Sequence, residues 1–102
     1  MSISIENIQS LNELRNYIHT TLCEKENLLE EQFKMTEMAL RRRGRNCGLQ
    51  FSIQGPRSVR LGAIWASDSN MVYFYDARGE RYAKVHLPNR VFVPEEESDE
   101  AA

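Results

Sequence analysis

Apolar positions along this 102-residue chain change their period near residue 46. Before that point they recur every three or four residues, and after it they alternate. Ser10-Leu11-Asn12-Glu13 has the form of a capping box, in which hydroxyl and carboxylate satisfy two orphan amides at a helix start. Leu11, Leu14, Ile18 and Leu22 then fall on one helix face. Thr21-Leu22-Cys23-Glu24 is a second candidate box, and with the β-branched Thr20 and Thr21 it predicts a break near His19 to Thr21. Leu29, Phe33, Thr36 and Leu40 follow a 4-3-4 spacing that Leu28, Met35 and Ala39 widen, which predicts a second helix over 28–43. Arg41, Arg42 and Arg43 would offset its negative end, and Gly44 would be its left-handed stop. Thr36-Glu37 offers a restart signal inside it.

Beyond residue 46, Cys47, Leu49, Phe51 and Ile53 alternate with Gly48, Gln50, Ser52 and Gln54, a half-buried strand. Gly55-Pro56-Arg57 reads as a turn, followed by Val59, Leu61, Ala63 and Trp65 on one face of a second strand. A three-residue loop keeps that hairpin's apolar residues together, pairing Ile53 with Val59, Phe51 with Leu61 and Cys47 with Trp65. Met71-Val72-Tyr73-Phe74-Tyr75 is a third strand, apolar on both faces. Asp76-Ala77-Arg78-Gly79 fits a type I turn with a glycine bulge. Residues 80–87 form a fourth strand whose two faces compete, Arg81, Ala83, Val85 and Leu87 against Tyr82, Lys84 and His86. The predicted fold is α+β: two N-terminal helices packed on a four-stranded antiparallel meander, one domain over 1–93. Residues 94–102, acidic and small, read as a disordered tail.

Composition changes little of this, but charge does. At 41% hydrophobic and 27% charged the chain is ordinary for a globular domain. The net charge of −2 hides a partition. Residues 1–40 hold three basic and seven acidic side chains, 41–93 hold ten basic and three acidic, and 94–102 hold five acids and no base. A basic middle between acidic ends predicts an anionic partner or masking by the tail. No apolar run is long enough for a membrane span, and Met1-Ser2-Ile3-Ser4-Ile5-Glu6 lacks the basic and apolar regions of a signal peptide. Cys23 and Cys47 are too few for a disulfide framework, so reduced thiols and a cytoplasmic location are expected.

The strings Leu40-Arg41-Arg42-Arg43-Gly44-Arg45-Asn46-Cys47-Gly48, Gly55-Pro56-Arg57-Ser58-Val59-Arg60, Ala63-Ile64-Trp65, Phe74-Tyr75 and Gly79-Glu80-Arg81 resemble a family of short bacterial proteins, mainly planctomycete. The resemblance covers roughly residues 17–82. It implies a compact unit and carries no catalytic or binding residue.

Candidate chemistry is sparse. Arg41, Arg42, Arg43 and Arg45 surround the first junction, while Arg57, Arg60, Arg78, Arg81 and Lys84 belong to the hairpins. Arginine forks suit phosphate, and Tyr73, Tyr75 and Tyr82 beside them offer stacking platforms; salt bridges to Glu24, Glu26, Glu30, Glu31 and Glu37 are the plainer expectation. Gly55-Pro56-Arg57 has the makings of an anion nest, but a turn accounts for it as well. His19 and Cys23 have helical ligand spacing that Cys47 and His86 would have to complete. Without any Cys-x-x-Cys or His-x-x-x-His pair, no metal and no cofactor is predicted. Cys47, near Arg45, falls on an apolar face where packing explains it better than reactivity. No catalytic constellation is recognisable, so no enzyme is expected. Ile64, Met71, Tyr73 and Tyr75 instead leave surplus apolar surface opposite the core, to be covered by a helix or a second copy. The sequence therefore predicts a binding module for a protein partner or itself, with Ile64, Tyr73 and Tyr75 as anchors and Arg57, Arg60 and Arg81 on the rim. The alternative is single-stranded nucleic acid or another polyanion, with the tail competing.

Overall fold

A computed structural model describes residues 4–91. The chain forms one α-helix, α1 (Leu11–Lys25), then a single antiparallel sheet of β1 (Met35–Arg42), β2 (Arg45–Gln54), β3 (Arg60–Ala66), β4 (Met71–Tyr75) and β5 (Arg81–His86). The strands pair in chain order, a five-stranded meander. The fold is α+β with an antiparallel sheet, but with one helix rather than two and five strands rather than four. The acidic segment 94–102 lies outside the described residues.

The capping box at Ser10 is present: Ser10 Oγ accepts from the Glu13 amide at 3.2 Å, and Glu13 Oε1 accepts from the Ser10 amide at 3.0 Å. Leu14, Ile18 and Leu22 point down one face and are fully buried. The break near His19 to Thr21 does not occur. The Thr21 hydroxyl donates to the Tyr17 carbonyl at 2.8 Å, so the β-branched residue is absorbed into the helix. The helix stops at Asn27, whose φ is 57°. Leu28 N donates to Cys23 O at 2.8 Å and Asn27 N to Glu24 O at 3.4 Å, the paired closure that satisfies terminal carbonyls when a residue turns left-handed.

The predicted helix over 28–43 is instead an irregular segment followed by β1. Gly44 does adopt positive φ, at 80°, but as half of a two-residue turn with Arg43 at 54°. Two successive left-handed residues match the twist of a hairpin, and Arg42 faces Arg45 across it. The arginines thus cap a hairpin, not a helix.

The β2–β3 hairpin also differs in register. Ile53 faces Leu61, Phe51 faces Ala63 and Leu49 faces Trp65, two residues from the predicted pairing. The loop spans 55–59, turned by two left-handed residues, Arg57 at φ 57° and Ser58 at φ 65°, and closed by Gly55 N donating to Val59 O at 2.7 Å. An even shift preserves which face each residue occupies, so the apolar set still reaches the core. Cys47 does not face Trp65. It is the extra residue of a bulge between Leu40–Gly48 and Arg41–Asn46, its thiol 3.4 Å from the Leu40 carbonyl.

β5 resolves its competing faces in the same way. Ala83 faces Phe74 and Val85 faces Val72 on the helix side, while Lys84 and His86 face Tyr73 and Met71 on the other. A register shift at Tyr75 lets Tyr82 join the helix side, its ring 6.2 Å from that of Phe74. The type I turn with its glycine is as predicted: Gly79 N donates to Asp76 O at 2.9 Å, and Gly79 has φ of 81°.

The core lies between α1 and one sheet face, built from Leu14, Ile18, Leu22, Phe51, Ile53, Leu61, Trp65, Val72 and Phe74, with Ile8 and Leu87 from the flanks. Asn70 is the one buried polar residue among those described. Its side chain accepts from Trp65 Nε1 at 3.0 Å and donates to Leu87 O at 3.2 Å and Asn89 O at 2.7 Å. Asn89 reaches on to the Glu6 carbonyl at 2.8 Å, so both ends of the described chain are tied together.

Candidate functional site

α1 covers one sheet face, nothing among the described residues covers the other, and the pairing fixes what that open face carries. One row across the strands reads Met38, Gln50, Ile64, Tyr73, Lys84. A second reads Thr36, Ser52, Gly62, Tyr75, Arg81, and a third Leu40, Gly48, Ala66, Met71, His86. Met38 is 61% exposed, and Ile64, Met71, Tyr73 and Tyr75 are half-buried. Four of the predicted site residues, Ile64, Tyr73, Tyr75 and Arg81, therefore share two adjacent rows.

Arg60 stands opposite Gln54 at the end of the same face, and Arg57 projects from the neighbouring loop with φ of 57°. On the same face, next to Arg60, Gly62 is flanked by Ser52 and Tyr75 and leaves a gap in the side-chain layer. An open groove of about 630 Å³ occupies it, with Arg60 and Arg78 on its walls beside Gln50, Ile64 and Tyr75. Arg78 is held by its loop: Asp76 Oδ1 accepts from the Arg78 amide at 2.9 Å and the Glu80 amide at 3.0 Å. The amide of Glu80, chiefly, holds the Asp76 carboxyl below its ordinary range. The Arg81 guanidinium lies 5.3 Å from the Tyr73 ring centroid, within cation–π distance.

The basic residues do not form one continuous strip. Arg57, Arg60, Arg78 and Arg81 gather at one end of the sheet, while Arg41, Arg42, Arg43 and Arg45 form the tip of the β1–β2 hairpin at the other end, beyond the reach of β3. Nor do they pair with the helical glutamates. Among the described residues the one salt bridge joins Arg15 to Glu37, with Nε to Oε1 at 2.7 Å and Nη2 to Oε2 at 2.9 Å.

The remaining candidates separate. His19 Nε2 is 2.7 Å from the Phe33 carbonyl, Cys23 is buried in the core, Cys47 sits in the bulge and His86 lies on the open face. No group of three metal-ligating side chains occurs among the described residues. Burial raises the Cys23 thiol above its ordinary value. Among the described residues no helix is long and apolar enough to cross a membrane.

Sequence reasoning missed Met38 and Gly62. Met38 was hidden by the helical reading of its segment. Gly62, which alternation puts on the face opposite the core, is the gap between Ser52 and Tyr75. The signal for Met38 was Arg43-Gly44, a two-residue hairpin turn directly before an unmistakable strand. Comparison of the chain with protein-family models, curated proteins and solved structures found no match.

Proposed function

We propose that the protein is a non-enzymatic binding module that docks a protein partner on the open sheet face. The observation that carries this reading is the row Met38, Ile64, Tyr73 beside the arginine-walled groove at Gly62. Met, Tyr and Arg are the residue types enriched at the centres of protein interfaces. Tyr and Arg also dominate the few positions that carry binding energy. Ile64, Tyr73 and Tyr75 are the anchors, and Arg57, Arg60 and Arg81 form the rim, joined by Arg78. The arginines on its rim favour a partner segment whose apolar side chains are flanked by carboxylates.

The test is selection of peptides from a displayed random library by the full chain. Enriched peptides combine aromatic or aliphatic residues with Asp or Glu, and the double variant Tyr73→Ala, Arg60→Glu loses them while keeping its thermal unfolding transition. Equal binding by the double variant would refute the reading.

The second reading is binding of single-stranded nucleic acid or another polyanion, favoured by Arg57, Arg60, Arg78 and Arg81 lying near the tyrosines. On that reading affinity falls steeply with salt and deletion of 94–102 tightens binding. It is the weaker of the two, because Arg81 already lies over the Tyr73 ring and the other four arginines are at the far end.

A further inference from the structure

The two edges of the sheet are unlike. β5 is guarded: it carries Arg81, Lys84 and His86, is bulged at Tyr82 and is followed by Pro88. Inserted charge, bulges and proline are the devices that keep a strand edge from pairing with another chain. β1 is an eight-residue edge strand with six exposed residues, and nothing among the described residues pairs with its outer side. Its central stretch, Thr36-Glu37-Met38-Ala39-Leu40, holds no lysine and no proline. Its one charge, Glu37, is drawn over the helix side by Arg15. The bulge of this pair belongs to β2, at Cys47, and does not distort the outer edge of the centre.

We infer that β1 pairs antiparallel with β1 of a second copy, making one continuous ten-stranded sheet. A two-fold axis normal to the sheet keeps each face on its own side and requires one residue to face its own copy across the axis. Centring on Glu37 sets two carboxylates against each other, and centring on Met38 places Thr36 against Leu40. Centring on Ala39 places Glu37 opposite Arg41 of the second copy, twice by symmetry, and Met38 opposite Leu40. That register adds Arg41 of the second copy beside the Arg15–Glu37 pair on the helix side and extends the apolar row of Met38 and Ile64 across the junction on the open side. The occupant is therefore a second copy of this chain, in the Ala39-centred register. The inference does not depend on what the open face binds.

Sedimentation equilibrium of the full chain over a concentration series tests it, combined with amide exchange of β1. The expected result is a reversible dimer in which every β1 amide is protected, with alternate amides losing protection on dilution. Arg41→Glu sets like charges opposite each other at both symmetric positions, weakening the dimer roughly tenfold or more, while Tyr73→Ala leaves it unchanged. A monomer at every concentration overturns the inference. So does a dimer whose outer β1 amides exchange freely, which locates the contact elsewhere. Protection of those amides in a monomer also overturns it, since the chain's own segment beyond residue 91 is then the occupant.

Discussion

Replacing Asn70 with alanine removes the one buried polar residue among those described and tests how the β3–β4 turn holds the molecule closed. Three hydrogen bonds are lost, at 3.0 Å from Trp65 Nε1, 3.2 Å to Leu87 O and 2.7 Å to Asn89 O. Asn70 is only 7% exposed, so water replaces these partners poorly. An indole N–H left buried without an acceptor costs about 1–3 kcal/mol, and the two carbonyls add to that. Asn70 also has φ of 57°, a region costing alanine about 1–2 kcal/mol more than a residue that tolerates it. The total is about 3–5 kcal/mol, a large share of the 5–15 kcal/mol that holds a typical domain. Asn70→Gly separates the terms: it relieves the backbone but not the bonds, and recovers about 1 kcal/mol. Urea unfolding followed by fluorescence is a direct assay, because Trp65 is the single tryptophan and donates into this network. A loss below about 1 kcal/mol for Asn70→Ala would show that the network does not bear on stability as argued.

Other substitutions report on separate features. Tyr82→Phe stabilises by about 1 kcal/mol in the same urea assay, since the Tyr82 hydroxyl is buried with no hydrogen-bond partner among the described residues. Burial pushes that phenol up to about 12, so the unfolded chain loses its proton first as pH rises past 10.0; wild-type stability declines between those values and the Tyr82→Phe decline is shallower. Arg43→Asn raises stability by about 0.5–1 kcal/mol, because asparagine accepts the left-handed conformation of this hairpin turn more readily. Gly48→Ala costs about 3 kcal/mol or more in thermal or urea unfolding, since its added carbon overlaps the Trp65 carbonyl across the strand pair.

How far the fold can be read from the residues depends on where local preference agrees with the final packing. The capping box at Ser10, the buried face of Leu14, Ile18 and Leu22, and the Asp76–Gly79 turn are local devices, and each is found as predicted. Met35–Arg42 is the opposite case. Its Met, Glu, Ala, Leu and Arg are good helix formers, so propensity and a loose 4-3-4 spacing favour a helix. What decides the matter is non-local: β2 has a bonding edge to satisfy, and the Arg43-Gly44 turn returns the chain alongside it. The two-residue shift of the β2–β3 hairpin went unseen for a related reason, since face alternation constrains register only to even steps. The open-face grouping of Ile64, Tyr73 and Tyr75 was legible because alternation survives such a shift. The separation of the arginines into two ends was not, because it follows from which hairpin end each loop occupies.

The open sheet face as a docking surface is tested most directly by amide NMR of the full chain titrated with a peptide selected from the displayed library. Shifts concentrated at Met38, Gln50, Ile64, Tyr73 and Tyr75, and lost in the Tyr73→Ala, Arg60→Glu variant, are the predicted result. Shifts confined to α1 and the far arginine hairpin, or the same shifts in the variant, would contradict it.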